Sequence, residues 1–164
     1  MKRRYRLYLE TSFWKRLGDP RLDERRRDSY RFLRALAGGR HRILISRLVT
    51  RELDETPDWA ERRKIYRRLW SRGARMITFN PRIVRIATDL RTLGRWRRNL
   101  IADLMHIGYA ISGAADALVT WDRDDLARDA TRRVVQAYGR REDVGVPLIG
   151  TPEEVAEWLG IRIA

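Results

Sequence analysis

The chain has 164 residues, no cysteine, and a net charge of +14 from 36 basic and 22 acidic residues. That length suits one domain with a full core, read as spanning residues 1–164, and the absence of cysteine excludes disulfides and thiolate metal sites and fits a reducing cytoplasm. No run of about 18 apolar residues marks a membrane span, and the basic Met1-Lys2-Arg3-Arg4 leads into too short an apolar run to read as a signal peptide.

Three of the basic residues are lysine (Lys2, Lys15, Lys64) and the rest arginine, the side chain suited to bidentate phosphate contacts. Such a surplus implies a polyanionic partner, with nucleic acid ahead of an acidic membrane surface or an acidic protein. An arginine-rich solvated surface is the bland alternative.

In chain order, Tyr5 to Leu9 reads as a first strand, and Ser12 to Leu17 as a short helix. Asp19-Pro20 is expected to cap a longer helix to about Leu36, ended by Gly38-Gly39. Ile43 to Ile45 is a short strand, and Ser46 caps a helix through Leu53. Pro57-Asp58 opens a helix to about Trp70, with Trp59, Ile65 and Leu69 as an apolar face beside its arginines. Ala74 to Thr78 is a third strand, and Asn80-Pro81 caps a helix to Leu93. A helix begins at Asn99 or Leu100 and runs to Ser112-Gly113. Ala117 to Thr120 is the fourth strand, Leu126 to Tyr138 a helix, and Pro147 to Ile149 an edge strand. Thr151-Pro152-Glu153-Glu154 caps the last helix. Short apolar strands alternating with helices predict an α/β fold with a mostly parallel sheet.

In such sheets the functional crevice lies at the carboxyl ends of the strands. Glu10 follows strand one directly, where a charge is costly unless partnered. Glu52 lies about two turns beyond Ser46, Asp103 opens the helix before strand four, and Asp122 follows that strand. If the strands lie side by side, these acids meet at one edge. Crowded carboxylates raise each other's pKa, and a divalent cation relieves them. Oxygen ligands without thiolates favour Mg2+ or Mn2+ over Zn2+, and such an ion supports in-line phosphodiester hydrolysis. Taken singly, each acid also has an ordinary reading as a solvated charge, a helix-dipole acid or a turn residue. Asp54 and Glu55 compete with Glu52, and Asp124 and Asp125 stand beside Asp122.

The segments YLETSFWKRL, SRLVTRELDE and DLMHIGYAISGAADALVTWDRDDL together resemble the PIN-domain family, and within it the VapC-like toxin ribonucleases of type II toxin–antitoxin pairs. The resemblance covers roughly residues 5 to 126 in order and spacing. It implies a three-layer fold with a short central sheet flanked by helices. It also implies a cytoplasmic, Mg2+- or Mn2+-dependent endoribonuclease that cuts single-stranded RNA to leave a 5′-phosphate and a 3′-hydroxyl, a homodimer, and a small cognate antitoxin as partner. Carried over by position, the catalytic acids are Glu10, Glu52, Asp103 and Asp122, with Glu10, Asp103 and Asp122 on the metal. Ser12 and Thr120 match the supporting hydroxyls. The first acid departs from the pattern, since the family's usual residue there is aspartate in a D-x-S/T sequence. The extra methylene of Glu10 shifts the carboxylate by about an ångström, against the strict octahedral demand of Mg2+.

Two further supporting residues come from the third segment. His106, three residues after Asp103, can contact a scissile phosphate or orient Asp103, or be a buried, satisfied histidine. Asp116 reads as a tie for the loop before strand four or as a site residue. Trp14 and Trp121 each stand near a strand-end acid and can stack bases or fill the core. The pairs Arg62-Arg63, Arg67-Arg68, Arg97-Arg98 and Arg132-Arg133 are candidates for tracking a nucleic-acid backbone. The competing functions are a non-catalytic RNA-binding module with a degenerate acidic site and, more remotely, a small-molecule phosphatase, which the missing Gly-rich phosphate loop disfavours.

Overall fold

The computed structural model describes residues 4–38, 41–97 and 100–163. The expectations on Gly39, Arg98 and Asn99 lie outside them. In chain order the elements are β1 (Arg6–Leu9), α1 (Thr11–Gly18), α2 (Glu24–Ala35), β2 (Arg42–Ser46), α3 (Arg47–Asp54), α4 (Trp59–Ser71), β3 (Arg75–Ile77), α5 (Pro81–Gly94), α6 (Ile101–Ser112), β4 (Ala117–Val119), α7 (Asp129–Glu142), β5 (Leu148–Gly150) and α8 (Pro152–Leu159).

The five strands form one sheet in the order β3-β2-β1-β4-β5. Every pair is parallel; Leu7 of β1 sits opposite Ile43 of β2 on one side and Ala117 of β4 on the other. Parallel strands joined by helical crossovers are covered on both faces, and Leu7, Tyr8, Leu9, Ile45, Leu118 and Val119 are accordingly fully buried. One apolar cluster runs from these strands into the flanking helices. α1 packs against α2, α3 and α4, with α8 against α2, while α5 packs against α6 and α7. The α5–α6 approach is close. An ideal Cβ on Gly108 of α6 would stand 2.7 Å from the carbonyl oxygen of Ile83 on α5, so a larger residue there would push α6, and the acid it carries, off its seat. No helix among the described residues is long and apolar enough to cross a membrane.

The caps explain where the helices start. The side chains of Ser46, Asp58 and Thr151 accept from backbone N–H groups at the heads of α3, α4 and α8, and Thr151 with Glu154 makes a reciprocal capping box. Two caps differ from expectation. α2 is capped by Asp23, which accepts from Arg26 N–H at 2.8 Å, not by Asp19-Pro20. Asp19 instead ends α1 and is clasped by Arg21, whose hydrogen bonds hold its carboxyl down at about 2. Asn80 precedes Pro81 as expected but makes no side-chain cap; its amide donates to Ser112 Oγ at 2.9 Å, tying the head of α5 to the tail of α6. α7 begins at Asp129 rather than Leu126, because Asp122 gathers the intervening residues into turns.

Candidate functional site

Glu10 is the residue at which β1 becomes α1. It is 6% exposed and is itself the cap of α1, accepting from Ser12 N–H at 3.1 Å. Its other oxygen accepts from Thr120 Oγ at 2.8 Å and from the Ser12 hydroxyl. The two hydroxyls lie 3.1 Å apart. Trp121 N–H donates to Ser12 Oγ and Asp122 N–H to Thr120 Oγ, at 2.8 and 3.0 Å. Ser12 and Thr120 thus stitch the end of β1 to the end of β4, with Glu10 as the acceptor at the seam.

Glu10, Glu52 and His106 form one group, each offering a ligand atom within 4.8 Å of the others. His106 Nε2 stands 3.0 Å from Glu52 and 3.9 Å from Glu10. Its Nδ1 meets the hydroxyl of Tyr8 at 2.8 Å, and that hydroxyl meets Ser46 Oγ at 2.7 Å. Glu52 also accepts from the Thr11 hydroxyl. Burial works against charging His106, but its bond to Glu52 and the charges of Glu10, Glu52 and Asp103 outweigh that and raise its pKa. Burial likewise opposes ionising Glu52, yet the His106 bond and charge, with Thr11 and Lys15, hold its carboxyl below the usual range. In this half of the pocket Glu52 and His106 each favour the charged form of the other.

Asp103, Asp122 and Asp125 form the second group, again with ligand atoms within 4.8 Å of one another. All three are partly exposed, and none is in an ion pair among the described residues. Asp122 Oδ1 accepts from the N–H groups of Asp124 and Asp125 at 3.1 and 2.9 Å, which fixes the turn that carries Asp125. Burial and the Asp122 charge push Asp103 up to about 6; Asp125 and Glu10 add to this, and His106 only partly offsets it. Three carboxylates without a counter-cation, one holding a proton close to neutrality, are the donor set that a hard divalent ion fits.

All four expected acids therefore lie at the carboxyl end of the sheet, but they divide into two groups. The expected metal set of Glu10, Asp103 and Asp122 is not one group. Glu10 is drawn toward His106 and the hydroxyls by its longer side chain, and Asp125 stands beside Asp103 and Asp122 in its stead. The sequence signal for Asp125 is its place three residues after Asp122 in a tight turn. His106 is buried and satisfied; it orients Glu52 rather than Asp103, because α6 turns its ring toward Tyr8 and α3. Asp116 lies at the opposite, amino end of the sheet, where it accepts from Arg6 N–H at 2.7 Å. It ties the loop down and does not join the acids.

The tryptophans are core residues. Trp14 is fully buried and donates to Leu9 carbonyl at 2.9 Å; Trp121 is nearly so and donates to Ser29 Oγ at 2.8 Å. Neither presents a face for a base. The apolar face expected on α4 is split: Ile65 and Leu69 are buried in this chain's own core, while Trp59 is 62% exposed under the guanidinium of Arg63.

No protein-family model matches the sequence, and no curated protein matches it by sequence. Among solved structures, a chain from the crystal structure of VapBC2 from Rickettsia felis bound to a DNA fragment from their promoter is similar to it, with 18% identity and a TM-score of 0.55 over 88% of this chain and 96% of that one. The likeness shows the fold, which is the VapC-like PIN arrangement.

Proposed function

We propose that this chain is a metal-dependent endoribonuclease, the toxin of a toxin–antitoxin pair, that hydrolyses phosphodiester bonds of single-stranded RNA. The observation that carries the reading is the unneutralised trio of Asp103, Asp122 and Asp125, beside Glu10 and Glu52, at the strand ends of a VapC-like PIN fold. In this reading Asp103, Asp122 and Asp125 hold Mg2+ or Mn2+, which supplies charge neutralisation and a water of lowered pKa. His106, fixed between Tyr8 and Glu52, lowers the Glu52 pKa and keeps that carboxylate pointing into the pocket. Glu10 fixes the β1–β4 seam on which Asp122 stands. Hydrolysis forms a bond from water oxygen to phosphorus and breaks the bond to the 3′-oxygen, leaving a 5′-phosphate and a 3′-hydroxyl.

A groove of about 830 Å3 between α3 and α6, the helices that carry Glu52 and Asp103, is lined by Arg47, Arg51, Phe79, Met105 and Tyr109. Cations beside aromatic rings suit an unpaired strand. An antitoxin partner, a homodimer, a cytoplasmic setting and a single domain over residues 1–164 belong to the same proposal; the neighbour is a VapBC assembly.

The test is cleavage of unstructured RNA with Mg2+ or Mn2+. Activity that stops with EDTA and falls at least about a hundredfold in Asp103→Asn is expected. Intact RNA under all metal conditions would end the reading. The alternative is a non-catalytic RNA-binding module, favoured by one observation: Glu10 is already committed to capping α1 and to two hydroxyls. It requires salt-sensitive RNA binding without metal, and Mn2+ binding that depends on Asp103 counts against it.

A further inference from the structure

The acids occupy one end of the sheet. At the other end, between the amino ends of β1, β2 and β3, lies a cavity of about 260 Å3 walled by Arg4, His41, Arg42, Arg72 and Arg75. The topology brings them together. Arg42 and Arg75 open β2 and β3, Arg4 precedes β1, and Arg72 closes α4 just before β3. Arg42 N–H donates to Tyr5 carbonyl at 2.9 Å, which pins the Arg4–Tyr5 stretch beside β2. Gly73 makes the reversal from α4 into β3 at a φ of +63°, and a Cβ added there would meet nothing within 4 Å. The closing carbonyls of α4 accept from Arg72, Gly73 and Ala74 N–H groups, so bare helix-end oxygens do not oppose an anion here. Tyr5 N–H donates into His41 Nδ1 at 3.3 Å; a neutral ring held so carries its proton on Nε2 and acts as a donor.

Among the described residues no carboxylate lines this cavity. Among the described residues Arg4, Arg42, Arg72 and Arg75 make no ion pair, whereas Arg16, Arg21, Arg31, Arg132 and Arg141 do. Asp116, on the same end of the sheet, is engaged with Arg6. Four guanidinium groups around one space repel each other and concentrate a positive field that an anion relieves. The guanidinium fork matches phosphate oxygens in pairs. The volume lies below the usual range of pockets that enclose a whole small molecule, and no Phe, Tyr or Trp among the described residues lines it to stack a base.

We propose that this cavity binds a backbone phosphate of a nucleic-acid strand, without base readout, as a site separate from the acid pocket. Arg4 and Glu10 are six residues apart along an extended strand, about 20 Å, so the two sites engage different parts of a strand. The proposal does not rest on hydrolysis.

The experiment is anisotropy of a labelled single-stranded RNA oligonucleotide, in EDTA, titrated with the full chain across a range of salt. Arg42→Ala/Arg75→Ala is compared with Arg82→Ala/Arg85→Ala, which removes the same charge from exposed positions on α5. The expected result is about tenfold weaker binding in the first variant and a salt slope shallower by about 0.7 per lost phosphate contact, with little change in the second. A scrambled-sequence oligonucleotide is expected to behave identically. Equal losses in both variants, or none in the first, overturn the proposal. If inorganic phosphate protects the wild type from thermal unfolding through Arg42 and Arg75 while RNA affinity is unmoved by their loss, the ligand is a free anion and the assignment to a strand is wrong. Should the alanine pair fail to fold, Arg42→Gln/Arg75→Gln carries the same expectation.

Discussion

Tyr8→Phe removes one oxygen from the middle of the strand that leads to the site. Tyr8 is fully buried, and its hydroxyl lies 2.7 Å from Ser46 Oγ and 2.8 Å from His106 Nδ1. The raised His106 pKa favours donation from Nδ1–H to the tyrosine oxygen, which leaves the tyrosine O–H to donate to Ser46. Ser46 keeps a second partner, the N–H of Val49 at 3.3 Å. Among the described residues His106 Nδ1 has no other partner, so the substitution leaves that nitrogen buried and unpaired while Nε2 keeps Glu52. A hydrogen bond to a charged group contributes about 1.5–3 kcal/mol, which puts the cost at roughly 2–3 kcal/mol and the fall in Tm at about 4–12 °C for a chain of this length. Denaturant unfolding of the metal-free protein measures it. Tyr66→Phe is the control: its hydroxyl also makes two bonds, to Thr50 carbonyl at 3.0 Å and Asp54 at 2.8 Å, but at the surface, where about 1 kcal/mol or less is expected. Nitrogen chemical shifts of His106 supply a second readout, expected to move toward the neutral ring. If Tyr8→Phe is no more costly than Tyr66→Phe, the relay from Ser46 through Tyr8 to His106 does not hold the site together.

Three further outcomes follow from the same geometry. Asp103→Asn stabilises the metal-free protein above about pH 6, because the folded protein raises this carboxyl to about 6 and so favours its neutral form. The native contribution of the bound proton is complete below the unfolded value near 3.8 and is lost as pH rises through 6, so the gain from asparagine vanishes in acid; melting curves at several pH values check it. Mn2+ affinity of the wild type, by calorimetry, falls about tenfold from pH 7 to pH 5 as protonated Asp103 competes with the ion, and Asp125→Asn weakens binding at every pH. Glu10→Asp keeps the α1 cap and costs less than about 1 kcal/mol, whereas Glu10→Ala costs about 1–2 kcal/mol; denaturant unfolding separates them, and equal losses would show that the cap is not what Glu10 supplies.

Much of the fold was legible in local pattern. Leu7-Tyr8-Leu9 is apolar without alternation, as a strand covered on both faces requires, and Ser46 and Thr151 stand where helix caps must. Strand order was not legible, since β1 pairs with β4 across more than a hundred residues and periodicity carries no such information. Asp19 and Asp23 are chemically alike as caps for α2, but Asp19 is engaged by Arg21 and Arg16 while Asp23 accepts from Arg26 N–H. Trp14 and Trp121 stand near acids in sequence, but each indole N–H finds an interior acceptor and the ring follows it inward. Asp125 was hidden among neighbouring acids until the turn around Asp122 singled it out.

Glu10 shows why an acid pocket read as one cluster becomes two. An aspartate at that position would end a methylene earlier. Glutamate reaches the hydroxyls of Ser12 and Thr120 and comes within 3.9 Å of His106. There its charge is compensated by protein groups, as is that of Glu52. The carboxylates left uncompensated are those on α6 and on the turn after β4, where no cationic side chain among the described residues pairs with them. Electrostatic need for an external cation is therefore greatest at Asp103, Asp122 and Asp125, while Glu10 and Glu52 are engaged by His106 and by the hydroxyls of Thr11, Ser12 and Thr120. A divalent ion that settled instead between Glu10 and Glu52 would have to displace or deprotonate His106, and Mn2+ binding that released a proton from the imidazole rather than from Asp103 would reverse this assignment.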